Sequence, residues 1–71
     1  MKLLEKVWYA PAIECEGCVR AIHRLLDDIE GVQQVEVDLL QKTVRVVYDA
    51  ERVHADVLQD ALKTAGFLPQ D

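Results

Sequence analysis

Two alternating runs in the middle of the chain restrict its fold more than any other feature. Val35, Val37 and Leu39 alternate with Gln34, Glu36 and Asp38, and Val44, Val46 and Tyr48 alternate with Arg45 and Val47. A period of two marks a half-buried strand with its apolar side inward. The spacing predicts strands over 32–39 and 43–48, joined by Leu40-Gln41-Lys42. That turn has neither Gly nor Asn, which leaves its type open. A helical pattern lies on each side of the pair. Val19, Ile22, Leu26 and Ile29, with Leu25 beside them, make one face of a helix over 18–29 that Gly31 stops. Val57, Leu58, Ala61, Leu62 and Ala65 make the stripe of a second helix over 54–65, closed by Gly66.

The ends complete the pattern. Lys2 to Ala10 reads as a first strand, ended by Pro11 because proline cannot continue a ladder. If Trp8 and Ala10 face the core, Val7 and Tyr9 face the other way. Phe67-Leu68 supplies a very short last strand before Pro69. The predicted order is βαββαβ in a single domain over 1–71. Such a chain is α+β, with two helices on one face of an antiparallel sheet in a ferredoxin-like arrangement. The other sheet face stays open, and Val7, Tyr9 and Val47 would form an apolar strip there, a candidate dimer or partner surface.

Seventy-one residues bury only a modest core. Net charge is −5 with scattered basic residues, which argues against nucleic acid as a partner. No apolar run approaches the ~20 residues of a membrane span, so direct membrane insertion is not expected. Met1 to Lys6 is too short and too charged for a signal peptide. The reading is a cytoplasmic domain, free-standing or part of a larger transporter. No general base, nucleophile pair or phosphate loop is present, so no enzyme is expected.

The remaining chemistry sits in Ile13-Glu14-Cys15-Glu16-Gly17-Cys18, which holds both cysteines of the chain. Two cysteines make neither a disulfide framework nor a four-thiolate zinc site. Placed between a strand and a helix start, the pair meets free backbone N–H groups and partial positive charge. Both favour thiolate, the form that binds metal or attacks disulfides. Gly17 is expected to give the loop unusual backbone angles. His23 lies roughly 140° around the helix from Cys18 and reads as a surface residue. His54 reads as a cap position.

Taken together, these residues resemble the heavy-metal-associated domain, the module of metallochaperones and of the N-termini of metal-transporting P-type ATPases. The family pattern G-M-x-C-x-x-C is matched by Ala12-Ile13-Glu14-Cys15-Glu16-Gly17-Cys18. Further matches are Cys18-Val19-x-x-Ile22, Gly31-Val32, Val35-x-Val37, Tyr48-Asp49 and Ala61-Leu62-x-x-Ala65-Gly66-Phe67. The resemblance implies that Cys15 and Cys18 ligate one soft ion, copper(I) or a zinc-type divalent ion. It also implies transfer by ligand exchange to an ATPase or a second metallochaperone, with a metal-bridged dimer as one further form. Ile13 stands where the family has a methionine that packs beneath the loop, and should keep that apolar support. Ala12 replaces the glycine. Phe67 resembles the ATPase domains.

Glu14 is the notable departure. Zinc-type members often carry an aspartate there that helps bind the ion, so Glu14 is a candidate third ligand beside a solvated-carboxylate reading. Two thiolates and a carboxylate carry three negative charges, which suit a divalent ion better than copper(I). Zinc accepts sulfur and oxygen together, whereas softness favours thiolates alone for copper(I). The rival function is thiol–disulfide exchange, since C-x-x-C at a helix start is also a redox arrangement. Against it, Pro11 and Pro69 cannot supply a mid-chain proline against the cysteines. Glu14 and Glu16 should also raise the thiol pKa values.

Overall fold

The computed structural model describes Met1–Gln70. Three strands and two helices follow in the order β1 (Leu3–Tyr9), α1 (Glu16–Asp27), β2 (Val32–Asp38), β3 (Thr43–Asp49) and α2 (Ala55–Thr64). The sheet is antiparallel in the order β1-β3-β2. Leu3 pairs with Asp49 and Tyr9 with Thr43 on one side of β3. Val32 pairs with Tyr48 and Asp38 with Thr43 on the other, with a register shift between Val32 and Gln34.

The alternation in the sequence settles which face is buried. Trp8 and Ala10 point inward with Val44, Val46 and Tyr48, while Val7 and Tyr9 stay exposed. The two helices cover that inward face with Ile22, Leu26, Leu58 and Leu62, each fully buried. Val57 and Ala65, expected on the inner stripe of the second helix, are exposed. Val57 lies at the margin of the α2 stripe, whose centre Leu58 and Leu62 fill, and Ala65 is the C-cap just past the end of α2. On the open face Arg45 donates to Glu5 at 2.8 Å and to Glu36 at 2.9 Å, so one cation spans all three strands. The exposed Val7 and the half-buried Val47 flank that charged row.

Two element ends differ from expectation. α1 starts at Glu16 and stops at Asp27, with Asp28 as its C-cap. A turn through Ile29 then leads to Gly31, whose φ of 99° is open to glycine and costly for other residues. A Cβ there would also lie 2.9 Å from Val53 Cγ1. The last strand is reduced to one bridge between Tyr9 and Gln70. Its two bonds are Tyr9 N–H to Gln70 O at 3.3 Å and Gln70 N–H to Tyr9 O at 2.6 Å. The expected Phe67-Leu68 pairing fails for a local reason. Phe67 N–H is already committed to Leu62 O at 2.9 Å and Gly66 N–H to Lys63 O at 3.1 Å. This double closure of a helix end consumes Phe67, and Pro69 has no N–H to offer. The bridge still lies on the free edge of β1, where a fourth strand of this topology belongs.

Asp49 ties the far end of the sheet together. The residue is 3% exposed, and its side chain accepts from Lys2 N–H at 3.2 Å and Glu51 N–H at 3.0 Å. The Lys2 bond first, then the Glu51 bond, hold its carboxyl below the ordinary value of 3.8. A depressed folded pKa adds stability above the unfolded value, and that stability is lost as pH falls through the folded value. Asp49→Asn is therefore expected to lower stability at neutral pH and to flatten the loss of stability below about pH 4. Urea midpoints across pH 2–7 would check this; parallel profiles for the two proteins would contradict it.

Candidate metal centre

The thiols are placed by a helix start. Cys15 is the N-cap of α1, with an extended backbone at φ −150° and ψ 166°. Its carbonyl accepts from Cys18 N–H at 3.1 Å and from Val19 N–H at 3.3 Å. Its Sγ accepts from Cys18 N–H at 3.3 Å, so the side chain performs the capping that Ser or Asp usually performs. Cys18 follows one turn on, which brings the two sulfurs to 3.0 Å with both cysteines free. Cys15 is exposed and Cys18 half-buried. An ion held at thiolate bond lengths of ~2.3 Å needs sulfurs ~3.8 Å apart at a tetrahedral angle, and further apart as that angle opens. The pair must spread slightly to take an ion.

The contact with Cys15 holds the Cys18 thiol below its ordinary pKa, and backbone contacts from Glu14 and Cys15 add to this. Burial and the Glu14 charge oppose it without prevailing. The Glu14 charge raises the Cys18 thiol as expected, but the net shift is downward because the other contacts outweigh it. Backbone and sulfur donors contact the thiol directly, whereas Glu14 is exposed and screened by water.

Ile13 anchors the loop from below. It is 0% exposed, in the apolar role expected of it. Gly17 does not have the unusual angles expected of it. Among the described residues positive φ falls at Gly31, Gly66 and Lys42. Gly17 is an ordinary residue of α1, and a Cβ on it would sit 3.7 Å from Cys15 Sγ, a normal contact.

The structure brings Cys15 and Cys18 together and adds no third side chain. Among the described residues no group of three or more His, Cys, Asp or Glu converges as a metal site. Glu14 and Glu16 are exposed, and Glu16 opens α1, where its charge complements the helix dipole. His23 pairs with Asp27 at 3.9 Å along α1. His54 caps α2 without a side-chain bond. Phe67 packs against the core cluster. Lys42 escaped the sequence reading: its Nζ donates to Ile13 O at 2.5 Å, from the turn between β2 and β3 into the thiol loop. The one sequence signal for it was a tight turn lacking Gly and Asn. No helix among the described residues is long and apolar enough to cross a membrane.

This architecture is shared with known proteins. The chain is 32% identical over 65 residues to the copper chaperone CopZ of Staphylococcus haemolyticus, covering 92% of this chain and 96% of that protein. It is 34% identical over 53 residues to the human copper-transporting ATPase 2, covering 75% of this chain and 4% of the much longer ATPase. A solved CopZ metallochaperone superposes with a TM-score of 0.90 at 25% identity, over 94% of this chain and all of that one. The model of the heavy-metal-associated domain matches residues 8–67, and the chain belongs to that family.

Proposed function

We propose that the chain binds one copper(I) ion between Cys15 and Cys18 and passes it, in the cytoplasm, to a metal-transporting P-type ATPase or another metallochaperone. The observation that carries this reading is a two-sulfur site at a helix start on which, among the described residues, no third His, Cys, Asp or Glu converges. Copper(I) is content with two soft sulfurs, whereas zinc completes four positions with nitrogen, oxygen or sulfur. The named relatives, a copper chaperone and a copper-transporting ATPase, support the same metal and the same class of partner. Exposure of Cys15 suits transfer. An acceptor thiolate reaches the ion from the Cys15 side, adds as a third ligand, and Cys15 leaves before Cys18.

Anaerobic titration of the reduced chain against a chromophoric copper(I) chelator tests the reading. One ion per chain is expected, or one per two chains if dimers share it. Binding no tighter than to a chain lacking both cysteines would refute it. Insulin reduction at background rate is expected of a transfer protein; robust turnover dependent on both cysteines would favour the redox alternative, which the lowered Cys18 thiol keeps open.

A divalent ion is the second reading, motivated by the Glu14 carboxylate next to Cys15 in the chain. If Glu14 is a ligand, Glu14→Gln weakens zinc more than copper(I), by about 1–3 kcal/mol for one charged partner. With the carboxylate outside any three-residue cluster among the described residues, the expected result is a nearly unchanged ratio of zinc to copper(I) affinity. Matched competitors on the two proteins would measure that ratio, and a tenfold fall, about 1.4 kcal/mol, would establish the carboxylate as a ligand.

A further inference from the structure

Lys42 holds the thiol loop with both its main chain and its side chain. Its carbonyl accepts from Ala10 N–H at 2.7 Å, where β1 leaves the sheet. Its Nζ donates to Ile13 O at 2.5 Å, two residues before Cys15. To do both it takes φ 58°, the left-handed region. That conformation costs a side-chain-bearing residue roughly 1–2 kcal/mol and falls mostly to Gly, Asn or Asp. Turn chemistry alone would not select lysine here. The preceding residues already secure the turn, since Gln41 N–H is bonded to Asp38 Oδ1 at 3.0 Å. What lysine adds, and glycine or asparagine could not, is reach to the Ile13 carbonyl.

Ile13 is thereby fixed on two sides, its side chain in the core and its carbonyl on the ammonium. Its own N–H closes a tight turn to Ala10 O at 3.1 Å. Beyond this point only Glu14 separates the anchored loop from Cys15, whose other side is pinned to α1 through Cys18 N–H. The freedom of Cys15 to spread from Cys18 is set by these two ties. We infer that Lys42 is a positioning residue for metal capture: through its bond to the Ile13 carbonyl it fixes the place from which Cys15 meets the ion. The inference rests on the Cys15/Cys18 reading of the site. Lys42 itself is no ligand, because its ammonium is spent on a backbone oxygen.

The test compares Lys42→Met, Lys42→Gly and Lys42→Arg with the unaltered chain. Met keeps the length and loses the donor. Gly relieves the backbone and loses the tether, so its stability changes offset in part. Arg keeps a long donor. Copper(I) affinity is read by chelator competition, fold stability by thermal unfolding, and loop freedom by amide hydrogen exchange at Ile13 in the metal-free protein. The expected result is an affinity loss of about tenfold in Met and Gly, the size of one hydrogen bond to a charged group. Exchange at Ile13 should quicken in both, melting should stay close to the unaltered chain, and Arg should recover most of the affinity. Affinity and exchange unchanged in Met and Gly would overturn the inference. So would losses that merely follow melting temperature, with Arg no better than Met. If the unaltered chain binds no copper(I), the proposed function fails on its own. Exchange at Ile13 then decides separately whether Lys42 positions the loop: quickening in Met and Gly, restored in Arg, supports it, and no change refutes it.

Discussion

Cys15→Ser is expected to abolish tight copper(I) binding while leaving the fold intact or slightly firmer. Cys15 is the N-cap of α1, and serine is among the best residues for that position. The helix therefore keeps its cap, while the site loses one of two converging sulfurs. Altering a residue that merely supports a metal ligand costs roughly 10–100-fold in affinity; removing half of the ligand set should exceed that. Cys18→Ser should weaken binding to the same extent, without the benefit at the cap. Chelator competition gives the affinity and thermal unfolding gives the stability. An affinity within tenfold of the original in both variants would remove the cysteines from the proposed site.

Trp8→Ala is expected to have the largest effect on stability. Trp8 is 1% exposed and the largest fully buried side chain of the core, on β1 opposite Val44. Truncating a buried tryptophan to alanine costs about 3–5 kcal/mol. Folded domains hold roughly 0.05–0.15 kcal/mol per residue, so a chain this short has little beyond that to lose. The indole Nε1 is buried without a partner, an unmade bond that costs about 1–3 kcal/mol and pulls the expected loss toward the lower end. Urea unfolding followed by far-UV circular dichroism measures the change. A midpoint equal to that of the unaltered chain would mean that Trp8 does not hold the core.

Much of this was legible in the sequence because its periods are clean. Val44, Val46 and Tyr48 read as inward and are buried; Ile22 and Leu26 read as one face of a helix and cover the sheet. The C-x-x-C pair at a helix start predicted neighbouring sulfurs, and they are neighbours. What escaped depends on where individual backbone donors go. Phe67 looks like a strand residue by type, yet its N–H closes α2. Gly17 looks like a loop glycine, yet capping by Cys15 draws it into α1. Lys42 looks like a solvated turn lysine, yet a positive φ turns it toward Ile13. The carboxylates beside the thiols were legible as charges. The upward push of Glu14 on Cys18 was legible too, but the net shift was not, because it is decided by contacts from Cys15 and the backbone that only the folded chain supplies.

X-ray absorption at the copper edge of the anaerobically loaded chain tests the two-sulfur site most directly. A first shell of sulfur alone, reduced by one sulfur in Cys15→Ser and unaffected by Glu14→Gln, is the predicted result. An oxygen or nitrogen scatterer that disappears in Glu14→Gln, or a sulfur shell that survives loss of both cysteines, would contradict it.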